Sequence, residues 1–237
     1  VAPELPEQVA QGTAEPRKVV VEAAKIAKKD PEAAAEILAG KRSLQAERAK
    51  ARRAERIEEI KTTSGTADQQ PGEGKLYQVI LADPPWRYEH VRTESRAVEN
   101  QYPTMTIEEI AGLEVPAGDD AILYLWATAP KLADAFEVVG SWGFIYRTCL
   151  VWVKDRIGMG YYARGRHELI LIATRGKMPV PEAGNRPDSV IEAPRQEHSR
   201  KPDKVYELIE RCYPELDKIE LFARQPREGW ARWGYEA

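Results

Sequence analysis

The chain has 237 residues, 43% of them hydrophobic and 31% charged, with a formal net charge of −3. That is enough apolar material for one α/β domain and a modest appendage, which excludes wholesale disorder, and it is not the charge of a globally basic nucleic-acid binder. Two cysteines, Cys149 and Cys212, the lack of an apolar run near the roughly 18 residues that span a bilayer, and the lack of a secretory leader pattern together point to an intracellular protein with no membrane contact.

Residues 1–75 carry 14 Lys/Arg against 13 Asp/Glu and no aromatic residue, so any core of their own would be small. Apolar residues at helical spacing in Arg17–Asp30 predict one helix. Asp30-Pro31, an N-cap followed by proline, opens a second that ends at Gly40. Lys41–Lys61 alternates in charge, with eight basic residues against four acidic ones. It reads as a solvated helix laced with i,i+4 pairs, or as a basic arm for a phosphate backbone. Thr62–Lys75 is polar, holds Gly and Pro, and reads as a flexible linker. The expected organisation is a helical extension over 1–61, a linker over 62–75 and a main domain over 76–237.

From Tyr77 onward strands and helices alternate. Tyr77–Ala82, Ala121–Thr128, Tyr146–Lys154, Glu168–Thr174, Ser189–Glu192 and Lys218–Ala223 are short, nearly continuous in apolar character and rich in β-branched and aromatic residues. Thr106–Gly112, opened by a capping box between Thr106 and Glu109, Lys131–Gly140 and Pro202–Tyr213 read as helices. The pattern predicts an open, mostly parallel sheet with helices on both faces, which binds ligands beyond the carboxyl ends of its strands.

One strand end stands out. Tyr77–Ala82 runs into Asp83-Pro84-Pro85-Trp86, where two prolines stop the ladder. This combination suits alkylation of an aromatic amine. The exocyclic nitrogen of adenine or cytosine is a poor nucleophile because its lone pair is delocalised. The Asp83 carboxylate and the Pro84 carbonyl are placed to accept its N–H bonds, turn the lone pair outward and stabilise the positive charge that develops. Pro85 stiffens the turn, and Trp86 offers an apolar face to an extruded base. Two loops would close such a site: Arg87–Met105, and Asp155–Arg166 with hinge candidates Gly158 and Gly160. In the second, Tyr162, Arg164 and Arg166 interleave aromatic and basic groups in a way that suits an unstacked nucleotide.

Ala82–Trp86 resembles the signature of the MT-A-seventy family of adenine-N(6) methyltransferases, and the bacterial and phage branch in particular. The resemblance extends through NQYPTM (Asn100–Met105), LYLWAT (Leu123–Thr128), VWVKDRIGMGYY (Val151–Tyr162), RHELILIATRG (Arg166–Gly176), the stretch Ile191–Glu210, and the segments of Ile219–Gly234. It implies a Rossmann-like methyltransferase fold and S-adenosylmethionine as cofactor, with Asp83 beside it. It implies that His198, Ser199 and Lys201 hold the methionine carboxylate, that Arg224 contacts the cofactor and that Glu236 meets the ribose. It implies substrate contacts for Asn100 and Tyr102, and a loop-ordering role for Glu168. Arg175 would reach the cofactor carboxylate or a phosphate. The stretch ELPEQVAQG with EAAKIAKKDPEAAAEIL is similar to the helical part of ParB-type DNA-binding proteins.

The expected activity is methyl transfer to the amine of a flipped or unpaired adenine, with DNA favoured over RNA as partner. Cytosine-N(4) transfer is the runner-up of the same chemistry, and a non-catalytic nucleic-acid-binding subunit the rival of another class. A helical partner subunit or a homodimer would complete the substrate surface. No G-x-G-x-x-G follows a strand, no P-loop is present, and His90, His167 and His198 are too scattered to predict a metal site.

Overall fold

The near-continuous apolar runs become a seven-stranded sheet in the computed structural model, which describes residues 30–39, 41, 43–45, 51, 52, 55, 74–88, 104–158, 160, 162–196 and 200–233. The strands are β1 (Tyr77–Ala82), β2 (Ala117–Ala127), β3 (Ile145–Val153), β4 (His167–Arg175), β5 (Val190–Glu192), β6 (Lys218–Leu221) and β7 (Trp230–Trp233). Their order across the sheet is β5-β3-β4-β2-β1-β6-β7. The chain builds outward from β1 on one side and then returns to its other side with β6. The order therefore reverses between β1 and β6, where open α/β sheets leave a crevice beyond their carboxyl ends.

The sheet is mostly parallel. β1 pairs in parallel with β2 and β6, β6 with β7, and β3 with β5. β4 alone runs the other way, antiparallel to both β2 and β3. Its first residues, His167 and Glu168, therefore arrive at the edge where its neighbours end.

Two strands differ most from the sequence expectation, the others by no more than two residues at their ends. β2 begins at Ala117 instead of Ala121, because Ala117 pairs with Tyr77 across an irregularity in the register. Trp230–Trp233 is an edge strand beyond β6; its two tryptophans hid an alternation with only Ala231 and Arg232 between them.

Alternate side chains of the central strands feed two cores, one on each face. Ile80, Ala82, Leu123 and Leu125 pack with Ile110, Val138 and Val139, which come from the helices Ile107–Ala111 and Leu132–Ser141. Val79, Leu81, Ile122 and Tyr124 pack with Val205, Leu208, Ile209 and Cys212 of the helix Asp203–Cys212. In chain order after the N-terminal helix α1 (Pro31–Leu38), these helices are α2, α3 and α4. The capping box of α2 is present: Glu109 N–H donates to Thr106 Oγ1 (3.2 Å) and Thr106 N–H to Glu109 Oε2 (2.8 Å). The Trp142 indole N–H donates to the Ile110 carbonyl (2.9 Å), tying the end of α3 to α2.

The chain divides into two units, Val1–Arg56 and Ile57–Ala237. In the first, Asp30 caps α1 by accepting from Ala33 N–H (2.9 Å), with Pro31 at the first helical position. Ala33, Ala34 and Ile37 are buried. The helix expected over Arg17–Asp30, Gly40 and most of the segments 41–61 and 62–75 lie outside the described residues. No helix among the described residues is long and apolar enough to cross a membrane.

Candidate active site

Asp83 follows the last residue of β1, at the crevice between β1 and β6. Asp83 N–H still reaches the Leu221 carbonyl of β6 (3.5 Å), after which the prolines end the ladder. The motif then folds tightly on itself. Trp86 N–H donates to the Pro84 carbonyl (2.8 Å), and Met105 N–H donates to the Pro85 carbonyl (2.9 Å). Trp86 and Met105 form a parallel bridge, so the two ends of the Arg87–Met105 loop are held together at the motif.

A cavity of about 250 Å³ opens above this turn, lined by Asp83, Pro84, Trp86, Tyr88, Trp126, Ala127, Thr128, Glu168, Lys201 and Arg224. Pro85 is buried under the turn. Trp86 is only 5% exposed and belongs to the core on the α2 and α3 side. Its indole N–H donates to the Trp126 carbonyl (3.1 Å). It therefore anchors the motif to β2 and shows the cavity little of its ring. Tyr88, two residues on, is half-buried, and its hydroxyl shares a hydrogen bond with Thr128 (2.7 Å). Of the aromatic rings that line the cavity, it is the one turned more to solvent.

The floor of the cavity is a row of alternating charges. Lys201 Nζ lies 2.8 Å from Asp83 Oδ2 and 3.3 Å from Glu168 Oε2. Glu168 Oε1 is 2.5 Å from Lys154 Nζ. Each ammonium lies over an indole, Lys201 over Trp126 at 5.0 Å and Lys154 over Trp152 at 4.7 Å. Burial alone would push Lys201 down and Glu168 up. The charges outweigh it: Asp83 and Glu168 hold Lys201 above its ordinary value, while Lys201 and Lys154 hold Glu168 below its own. Lys201 and Glu168 therefore remain charged despite partial burial.

Strand direction explains the meeting. Lys154 lies just past the end of β3, and Trp152 of β3 pairs with Glu168 of the opposed strand β4. Lys201 comes from the segment leading into α4, before its N-cap residue Pro202. The helix begins at Asp203 rather than Pro202, and Arg200 pairs with Asp203 (3.2 Å) at its first turn.

Arg224 also lines the cavity, just beyond β6. Between them Phe222 takes φ 64°, a left-handed conformation uncommon for a residue with a Cβ. Tyr162, Arg164 and Arg166 sit apart from the cavity. Tyr162 is fully exposed. Arg164 donates from Nε to the Gly158 carbonyl and Arg166 from Nε to the Lys154 carbonyl (2.8 Å each), so both arginines brace their own loop. Arg175 donates to the Ala117 carbonyl (3.2 Å) at the far end of β4, away from the carboxyl-end crevice. His198, Ser199, Asn100, Tyr102 and Glu236 lie outside the described residues.

The structure thus gathers Asp83, Pro84, Trp86, Glu168, Lys201 and Arg224 around one cavity, adds Tyr88, Thr128 and Trp126 to its lining and places Lys154 behind Glu168; the sequence reading did not single out these last four as site residues. Lys154 stood inside the quoted VWVKDRIGMGYY segment. Its only signal was its even spacing from Trp152 along a strand, which places both on one face.

A sheet whose order reverses beside a strand-ending carboxylate, with a cavity and paired charges beyond it, is the architecture of a Rossmann-like methyltransferase domain. The chain belongs to the MT-A70 family, whose model matches residues 77–236. It is 36% identical to the type II methyltransferase M.MunI of a Mycoplasma species over 182 residues, covering 68% of this chain and 78% of that one. It is 32% identical over 170 residues to an N(6)-adenosine-methyltransferase MT-A70-like protein of Arabidopsis thaliana. It is also 32% identical over 157 residues to the human N(6)-adenosine-methyltransferase catalytic subunit METTL3. The matched region spans 23% and 26% of the length of these last two relatives.

Proposed function

We propose that this chain is an S-adenosylmethionine-dependent DNA adenine-N(6) methyltransferase acting on a flipped or unpaired adenine. The observation that carries the reading is Asp83 at the β1–β6 crevice, held by Lys201 at 2.8 Å and followed by the tightly folded Pro84 carbonyl. The carboxylate and the carbonyl supply two acceptors for one exocyclic amine, already oriented before substrate arrives. The Pro84 oxygen accepts from Trp86 N–H and has a second lone pair to offer.

The donor set suits the cofactor. Its methionine end carries a carboxylate and an ammonium, and the cavity holds cations (Lys201, Arg224) and carboxylates (Asp83, Glu168) together. Lys201 directs two of its three N–H donors at Asp83 and Glu168, leaving one for an incoming carboxylate. His198, Ser199 and Glu236 would complete that set, as the family resemblance implies. When bound, the cofactor supplies an electrophilic methyl group on a sulfonium, so no strong base is required. Asp83 and Pro84 orient the amine, and its surplus proton leaves to solvent after transfer. Tyr88 is the wall best exposed to meet a base. Tyr162, Arg164 and Arg166 would follow the flanking strand. DNA is put ahead of RNA because the type II methyltransferase aligns over most of both chains, whereas the N(6)-adenosine enzymes share about a quarter of their length.

The test is transfer from methyl-labelled cofactor to matched DNA and RNA, single- and double-stranded, followed by nucleoside mass spectrometry. Labelled N(6)-methyldeoxyadenosine is expected, and Asp83→Ala is expected to abolish it while cofactor binding persists in part. Full transfer by Asp83→Ala would remove this residue from the chemistry. A label on cytosine would replace the adenine assignment, and measurable nucleic-acid binding without cofactor binding would favour a non-catalytic subunit.

A further inference from the structure

Lys154 neither touches Asp83 nor lines the cavity itself, yet through Glu168 it ends the charge row that holds Asp83. Resting on the methyl-transfer reading above, we propose that Lys154 is a positioning residue for the reaction: by occupying Glu168, it keeps Lys201 on Asp83.

The argument is one of competition for a shared cation. Lys201 stands between two carboxylates and is closer to Asp83 (2.8 Å) than to Glu168 (3.3 Å). The asymmetry has a visible cause. Glu168 already has an ammonium at 2.5 Å on its other oxygen, so its demand for a second cation is partly met. Asp83 has no such second partner among the described ion pairs. The side chains involved are between 13% and 18% exposed, so their attraction is weakly screened and each carboxylate's pull on Lys201 is strong. Removing the Lys154 charge would leave Glu168 with Lys201 alone, and the shared ammonium would move toward Glu168.

Asp83 would then lose the contact that sets its side-chain direction, and its oxygens would no longer be aimed at one place. The geometry around Lys154 supports this role over that of a surface ion pair. Its ammonium lies over the ring of Trp152, whose indole N–H is fixed to the Ala193 carbonyl (2.9 Å). Its backbone N–H and carbonyl are both paired with Arg166. The backbone is thus held by Arg166 and the ammonium is fixed between the Trp152 ring and Glu168.

The experiment compares the full-length chain with Lys154→Met, Lys154→Arg and the double variant Lys154→Met/Glu168→Gln, by crystal structure and by methyl-transfer kinetics. Methionine keeps an unbranched side chain of similar length beside Trp152 while removing the charge. In Lys154→Met, Lys201 Nζ is expected beyond about 3.5 Å from Asp83, and kcat is expected to fall about 10- to 100-fold with little change in KM for nucleic acid. Arginine is expected to restore both. In the double variant the competing charge is gone, so Lys201 returns to Asp83 and kcat recovers relative to the single variant.

Lys201 remaining on Asp83 in Lys154→Met with kcat unchanged would overturn the proposal. So would a fall in kcat that Glu168→Gln does nothing to relieve, since loss of fold stability would worsen on adding a second substitution. A wild-type chain that transfers no methyl group to adenine, while Lys201 still shifts in Lys154→Met, would overturn the methyl-transfer reading and uphold the charge competition.

Discussion

Glu220 shows how one buried carboxyl can set the pH response of the domain. It sits on β6, where the Tyr206 hydroxyl of α4 donates to its Oε1 (2.7 Å). Burial pushes its carboxyl up to about 7, against an ordinary value of 4.5; the Tyr206 hydrogen bond opposes this, and the negative charge of Asp83 adds to it. The folded state therefore holds a proton that the unfolded chain releases earlier. Stability from this group is fully present below about pH 4.5 and is lost as pH rises toward 7, a difference of about 3 kcal/mol from the size of the shift. Glu168 works in the opposite sense. Its lowered value contributes stability above its ordinary range that is lost as pH falls. Glu220→Gln is expected to flatten the decline between pH 5 and pH 8 in urea unfolding. A variant whose curve parallels the wild type would show that Glu220 is not its source.

Elements place these residues, and some of the placement strains the backbone. Phe222, just past β6, holds φ 64° with its ring buried against Trp233 (centroids 5.4 Å apart). A left-handed residue with a Cβ costs about 1–2 kcal/mol, here offset by the buried ring. Phe222→Ala loses the ring and keeps the strain, and is expected to destabilise by about 3 kcal/mol or more. Phe222→Gly loses the same ring but relieves the strain, so it is expected to melt higher than the alanine variant. Equal melting temperatures would remove strain from this account. The turn carries the chain from β6 to Arg224 at the cavity, so the conformation bears on the site as well as on stability. The motif turn at Asp83–Trp86 was readable from its prolines alone, because a missing N–H ends a ladder in any context. Nothing local in Leu221-Phe222-Ala223 announced a left-handed residue, since no glycine or asparagine marks it.

At the scale of the molecule, β1, β2 and β4 contribute side chains to cores on both faces of the sheet, built among the described residues from elements from Tyr77 onward. We propose that the domain is self-sufficient and that the N-terminal helices serve nucleic-acid or partner binding. Residues 57–237 produced alone are expected to unfold cooperatively and to bind cofactor as the full chain does, while losing nucleic-acid affinity. A truncated chain that fails to fold, or that binds nucleic acid as well as the full chain, would contradict this division.

The sequence by itself determined what depends on neighbours along the chain: β1, the Thr106 capping box, the proline-ended strand, the amphipathic face of α4, and the Asp83-Pro84-Pro85-Trp86 motif. Only the tertiary structure decided that β4 runs against its neighbours. Period-two burial is the same in either direction, so no pattern of apolar residues reports strand polarity. That one choice delivers Glu168 to the edge where β1, β2 and β3 end, and so assembles Lys154, Glu168, Lys201 and Asp83, four residues far apart in sequence, into one row. Tertiary packing against β2 and the α2 and α3 side of the sheet likewise turned Trp86 from an expected stacking face into a buried anchor. Burial is a property of what packs around a residue, and a residue's own neighbours in the chain do not set it.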